Sequence, residues 1–265
     1  MGVDMRLLVL FFTHLCMIFS ASALTPDDNV WIPVHALERF ATDYENDPSA
    51  IAPISFGVEV DGESFLIDVT KINGDLVANV LEGFHGEPTF LFKTDKETLA
   101  KIDMGAIHGL TAMAQTRAND PAPMMLEFMD GFAPQDQAAF QTRFLSVAFH
   151  FWTRETPERI KLEESASRVV HGANAVAIYY DPELHSAWYH VKTGQHVNAD
   201  PKDQINDHPS LFIFTNGTGL ARIGGVEQKV TANDALHIPR GVPHEFWNPH
   251  EAPLEFIILM WGFEN

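Results

Sequence analysis

Apolar positions recur at helical spacing between residues 35 and 46. Leu37, Phe40, Ala41 and Tyr44 fall on one side, and Asp47-Pro48 stops the run. The period then shortens to that of a strand. Phe56, Val58 and Val60 alternate with polar or small residues, Asp61-Gly62 turns the chain into Phe65, Ile67 and Val69, and Asn73-Gly74 turns it into Leu76 to Leu81. Such residue pairs between alternating runs signal hairpins. A fourth strand is predicted at Thr89 to Phe92. Thr94-x-x-Glu97 reads as a capping box for a short helix carrying Leu99 and Ile102, with Gly105 at its end. A second helix is predicted over 106–118. Residues 119–134, rich in Pro, Asp and Met, read as loop with one strand. Residues 137–154 then form an apolar helix. Phe140, Phe144, Val147, Ala148 and Phe151 make one stripe, and Leu145, Phe149 and Trp152 widen it. A helix this apolar is buried or faces a partner. Thr156-Pro157 ends it.

From about residue 165 the pattern is almost purely that of strands. Candidates are Val176 to Tyr180, Ala187 to Val191, Leu211 to Phe214, Leu220 to Ile223, Lys229 to Thr231, Ala235 to Ile238 and Leu254 to Met260. Gly, Asn and Pro separate them at short intervals, as in a barrel or sandwich. The change at 155–170 is the predicted domain boundary. The fold class expected is an α+β domain over 24–160 followed by an all-β domain over 165–265.

Composition narrows the function. The chain has 265 residues, 46% hydrophobic and 20% charged, which suits a globular core. A net charge of −19 argues against nucleic acid or an anionic membrane as partner. Twenty Phe against four Tyr points to deeply apolar packing or an apolar cavity. The N-terminus reads as a secretory signal: Arg6, an apolar run from Leu7 to Phe19, and Ala21-Ser22-Ala23 as a small-x-small cleavage site. The mature chain is expected to begin near Leu24, in the periplasm or outside the cell, with no transmembrane anchor. The single cysteine, Cys16, lies inside this signal. The mature protein would then lack a thiol nucleophile.

The chemistry concentrates in residues 233–248, NDALHIPRGVPHEFWN. Asn233-Asp234 favours a tight reversal before a short apolar strand. Pro239 and Gly241 break that strand, and His244 stands where the next begins. The series Pro239-x-Gly241-x-x-His244-x-x-x-Asn248 resembles the second sequence motif of the cupin superfamily. That resemblance implies a small antiparallel β-barrel, or jelly roll, with His244 pointing into its mouth, where cupins often hold a metal. A metal-binding cupin also carries His-x-His, then Glu and Gly, in a first motif. Anchored on Gly217, this pattern puts Gln204 and Asn206 at the two His positions and Ser210 at the Glu position. None is a strong ligand for a divalent transition metal. The resemblance therefore implies a degenerate metal site and no firmly held cofactor. A divalent metal remains the alternative, held by His244 and His196 with a carboxylate such as Asp203. His208 is expected in a turn or facing outward, and His185, His190 and His237 as packed or solvent-facing imidazoles.

The barrel mouth is then expected to bind a small organic ligand, apolar or carbohydrate-like. His244, Gln204, Asn206, Ser210, Trp188 and Phe212 are the site residues proposed, with Arg222, Tyr189, Phe214, Phe246 and Trp247 nearby. The other activity class is a metal-dependent cupin enzyme, an oxygenase or isomerase, using His244. Cupins also often pair through their sheets, which implies a homodimer. In the first half, residues 36–118 resemble the sterol-carrier-protein-2-like fold, whose members enclose an apolar tunnel for lipids. There Met113, Met124, Met125 and Met129 would suit an adaptable lipid pocket.

Overall fold

The computed structural model describes residues 31–86, 88–115, 120–129, 136–153, 159–180 and 183–263. The expected secretory signal and the expected Thr156-Pro157 stop lie outside the described residues.

The first half begins with α1 (Pro33–Asn46), followed by β1 (Ile54–Val60), β2 (Glu63–Ile72), β3 (Asp75–Glu82) and β4 (Phe90–Thr94). Then come α2 (Lys96–Asp103), α3 (Gly109–Met113), β5 (Met124–Phe128) and α4 (Gln137–Ser146). The five strands make one sheet in the order β3-β2-β1-β4-β5, antiparallel except for the β1–β4 pair. The apolar stripe of α1 packs on its inner face with the chain after α4. Leu37, Phe40 and Tyr44 are buried beside Phe56, Phe90, Phe92 and Phe151. The rings lie edge to face or stacked: Phe56 is 5.0 Å from Phe151, and Phe92 is 5.0 Å from Trp152. This use of phenylalanine explains the odd Phe-to-Tyr ratio, since a phenol must find a partner when buried. Tyr44 does so. Its hydroxyl lies 2.6 Å from Ser146 Oγ, which donates onward to the Ser49 carbonyl.

Three local details differ from the sequence expectation. Asp95, not Thr94, caps α2: its carboxylate accepts from Thr98 N–H at 2.6 Å, while Thr94 closes β4. The helix expected over 106–118 is only α3. His108 caps it through Nδ1, and Ala114 has already left helical geometry. Residues 116–119 lie outside the described residues. The last turn of the apolar helix, Val147–Phe151, is wound as a π-helix.

The second half contains β6 (Arg168–Val170), β7 (Ala173–Tyr180), β8 (Leu184–Val191), β9 (His196–Val197), β10 (Ser210–Asn216), β11 (Thr218–Ile223), β12 (Val226–Thr231), β13 (Ala235–Ile238), β14 (His244–Trp247) and β15 (Leu254–Trp261). They form a six-stranded sheet, β13-β10-β15-β8-β7-β6, and a four-stranded sheet, β12-β11-β14-β9. Every pairing is antiparallel. The sequence pattern misses β6 and β9 because three and two residues are too few to show a period. Phe212, Phe214, Phe246 and Phe256 fill the space between the sheets, with Tyr189, Val191 and Leu254. Turn chemistry holds the register. Asn233 takes φ 74°, and the Asp234 carboxylate accepts from Thr231 N–H at 2.7 Å. Gly217 takes φ 75°, and a Cβ there would stand 2.0 Å from the Pro253 carbonyl oxygen, so only glycine fits.

Residues 32–265 form one compact unit. The short helix α3 packs on β7. Thr111 Oγ1 accepts from Ala177 N–H at 2.9 Å, and the Arg168 guanidinium donates to the carbonyls of Thr111, Ala112 and Ala114. Both facing sheets nevertheless lie wholly within residues 165–265. A fragment of that span is expected to unfold cooperatively in urea, at a lower midpoint than the full chain because Arg168 and β7 lose their partners. A fragment with no cooperative transition would mean that the two halves share one folding unit.

Candidate functional site

Alternation along β14 decides the site. His244 and Phe246 face the space between the sheets, while Glu245 and Trp247 face the other way. His244 is only 2% exposed and lies edge-on to Phe212, with ring centroids 5.5 Å apart. Its backbone is fixed by a hydrogen bond from its own N–H to the Gln204 carbonyl at 2.9 Å. Gly241 N–H reaches the Asn206 carbonyl at 2.8 Å, and the Arg240 guanidinium reaches that of Asp207. The segment 204–207 is therefore laced onto the turn that carries His244.

The imidazole itself is held in one tautomer. Nδ1 lies 3.0 Å from the Val242 carbonyl oxygen. A carbonyl only accepts, so Nδ1 carries the proton and donates it. Burial is the largest influence on the ring and pulls its pKa below the usual value. The Val242 hydrogen bond opposes this shift; the positive charges His208 and His171 acquire on protonation add to it. The ring is thus neutral at pH 7, and Nε2 keeps a bare lone pair. That atom is buried and has no hydrogen-bond partner among the described residues. A buried acceptor left unpaired is costly, so it marks a place for a donor.

His208 adds a second such atom. It lies in a bend, one of the two expectations for it, but its side chain does not face outward: it is 14% exposed and its ring rests 4.5 Å from Phe263. Nδ1 is 2.8 Å from the Asp207 carboxylate, and Nε2 is buried without a partner among the described residues. The pattern around His208 gave no sign of this, because its covering residue is Phe263 near the chain end. His171, on the β6–β7 turn with φ 52°, was also not singled out; its Nδ1 lies 4.0 Å from Asp203.

The other expected site residues divide into two groups. Ser210 and Phe212 share the inner face of β10, 1% and 2% exposed, and Asn206 Nδ2 lies 3.4 Å from Ser210 Oγ. These stay on the His244 side. Gln204 turns away, its Nε2 3.5 Å from Glu245 Oε2. His196 pairs in register with Trp247 on the outer face, and its Nε2 is 2.7 Å from Glu245 Oε2. The structure therefore does not bring His196 beside His244. Arg222 completes the outer group, 2.6 Å from Glu245 Oε1 and 5.3 Å above the Trp247 ring. Trp188 also faces outward. It packs with Ala166 and Val176 outside the barrel, while its neighbour Tyr189 stacks inside on Phe256 at 5.2 Å. One residue of parity separates the two, and the sequence alone did not fix it. The three histidines expected as packed or solvent-facing are packed or paired: His185 between Tyr180 and Phe263, His190 with Glu255, His237 on Trp261.

The donor set does not suit a divalent metal. His244 and His208 supply two imidazoles at most, and the groups beside them, Asn206 and Ser210, are a neutral amide and hydroxyl. Among the described residues no group of three or more His, Cys, Asp or Glu is placed to hold a metal ion. What the site can do is accept a hydrogen bond, or a proton, at one fixed atom in an apolar setting.

Comparison with known proteins bears on the same region. Residues 187–261 match the cupin domain family. An oxidoreductase, iacF, from Pestalotiopsis fici is 28% identical over 123 residues, which covers 42% of this chain and 59% of that protein. The chain thus spans less than two thirds of the length of this curated relative. Solved structures with a similar fold include a cupin 2 conserved barrel domain protein from Salinispora arenicola and an RmlC-like cupin from Shewanella frigidimarina. The first is 17% identical, covering 40% of this chain and 88% of its own, with a TM-score of 0.35. The second is 16% identical, covering 37% and 84%, with a TM-score of 0.33. The family match lies in the second half and does not bear on the sterol-carrier-protein-2-like resemblance of residues 36–118.

Protonation of His244 should be visible in stability. In the unfolded chain its pKa is about 6.5, and in the fold burial holds it lower. As pH falls below about 6.5 the unfolded state takes up a proton that the folded state refuses, so stability falls until the lower folded pKa is passed. His244→Gln cannot do this. The stability of the wild type relative to His244→Gln is expected to be smaller at pH 5 than at pH 7.5 in urea titrations. The loss would reach about 1.4 kcal/mol for each unit of depression. An unchanged difference would mean that His244 is not held neutral by burial.

Proposed function

Because residues 187–261 form a cupin domain, we propose that its interior is a small-molecule binding site centred on the lone pair of His244 Nε2. The observation that carries this reading is the fixed tautomer: Nδ1 donates to the Val242 carbonyl, and Nε2 is left buried and without a partner among the described residues. The ligand is a small organic molecule that presents a hydroxyl or N–H to this atom. Ser210 and Asn206 supply neutral polar contacts, and Phe212 provides an apolar wall. Phe212, Phe214, Phe246 and Phe256 already fill the rest of the interior, which favours a compact polar or carbohydrate-like molecule over a large apolar one.

A second reading rests on the same atom. A metal-bound histidine usually donates its other N–H to a carbonyl or carboxylate, as His244 does to Val242. The name of the fungal relative, an oxidoreductase, fits that reading. The weak donor set around His244 counts against it.

His244→Ala separates the two. On the binding reading, the wild type holds metal well below one equivalent, and His244→Ala keeps its fold. Small alcohols and sugars whose binding shifts the inward Met260 methyl in NMR spectra should bind the variant roughly fivefold more weakly, on the order of 1 kcal/mol for one hydrogen bond. Stoichiometric iron, manganese, zinc or nickel in the wild type, lost in His244→Ala, would overturn this and favour a metal-dependent oxygenase or isomerase.

A further inference from the structure

A cavity of about 470 Å³ lies away from His244, between the first half of the chain and β7. Its walls are largely apolar: Met113 at the end of α3, Met124 and Leu126 on β5, Phe144 and Leu145 on α4, with Gln115 and, on β7, Tyr180 as polar groups. A second cavity of about 210 Å³ adjoins it. The two share Leu110, Phe149 and Tyr180. The smaller one carries the ionisable groups, Asp47, His108 and His150, with Thr153 beside them. His150 Nδ1 lies 3.4 Å from the Asp47 carboxylate, whose other oxygen accepts from Ser49 N–H at 2.7 Å.

The π-wound turn at Val147–Phe151 shapes both chambers. It buries Val147 and Phe151 in the core and leaves Phe149 and His150 on the cavity side. Such turns are uncommon and occur often at functional sites. The joined volume is in the range of small-molecule sites, which are mostly apolar with a few placed polar groups. Methionine on the wall lets the apolar chamber adapt to its guest.

We propose that this seam is a second binding site, for an uncharged, largely apolar small molecule bearing a hydroxyl group. The apolar body lies against Met113, Met124 and Phe144, and the hydroxyl points toward His150 and Tyr180. Charge decides the head group. The polar chamber already holds the Asp47 carboxylate, and the protein carries a net charge of −19, so a carboxylate would be repelled. Burial pushes the Tyr180 phenol up to about 12, which keeps its proton available as a donor. Tyr180 belongs to the cupin half and the methionines to the other, so neither half builds the site by itself. This site is independent of the one around His244.

The test uses the full chain with 13C-labelled methionine methyls, assigned by Met113→Leu, Met124→Leu and Met260→Leu. Octan-1-ol is expected to shift the Met113 and Met124 methyls, saturating below about 1 mM, and to leave Met260 unmoved. Octanoate at pH 8 should shift them far less at equal concentration. Leu126→Trp, which fills the apolar chamber, should weaken octan-1-ol binding at least about tenfold; if this variant does not fold, the wild-type comparison stands alone. Three results would overturn the proposal: a shift confined to Met260, no shift at any of the three, or octanoate binding as well as the alcohol.

Discussion

Each strand has only two faces, and in the second half of the chain phenylalanine claims the inward one. Phe212, Phe214, Phe246 and Phe256 pack ring against ring between the sheets, with centroids 4.5 to 5.8 Å apart. Their positions set the parity of β10, β14 and β15, and through it the side on which every other residue of those strands stands. His244 is inside because Phe246 is inside. Glu245, one residue on, must be outside, and it gathers Arg222 and His196 there. A register slip of one residue would exchange the two groups. The buried lone pair on His244 is therefore a consequence of core packing as much as of the local turn.

That dependence explains how much could be read from the sequence. The hairpins of the first half were legible because Asp61-Gly62 and Asn73-Gly74 separate clean alternations. So was the turn before His244, where Asn233, Pro239 and Gly241 each have a stated backbone role. Parity was not legible where a strand is apolar on both faces. Ala187 to Val191 gives no sign of whether Trp188 or Tyr189 points inward, and only the packing of Trp188 on Val176 and Ala166 settles it. Very short strands hid as well, which is why His196 could be imagined beside His244. The cover over His208 is hidden for a different reason: it is made by Phe263, 55 residues further along the chain, and no local pattern carries such a contact.

The two candidate sites use the sheets of the second half differently. The interior offers one directed acceptor in a nearly full core. The outer face of the large sheet contributes Ile178 and Tyr180 to a roomier cavity built with α3, β5 and the π-wound turn. A row of rings links their surroundings: Phe149, Tyr180, His185, Phe263 and His208, each within 6.4 Å of the next. Contact between the halves is thus functional as well as structural, since Arg168 and Thr111 fix the seam that the cavity needs.

The central claim concerns one nitrogen atom. Nitrogen-15 NMR of the histidine side chains at neutral pH reads it directly, because protonated and bare imidazole nitrogens resonate far apart. For His244, assigned by loss of its signals in His244→Gln, the account predicts a protonated Nδ1 and a bare Nε2 that moves when ligand binds. A protonated Nε2, or a doubly protonated ring at pH 7, would contradict it.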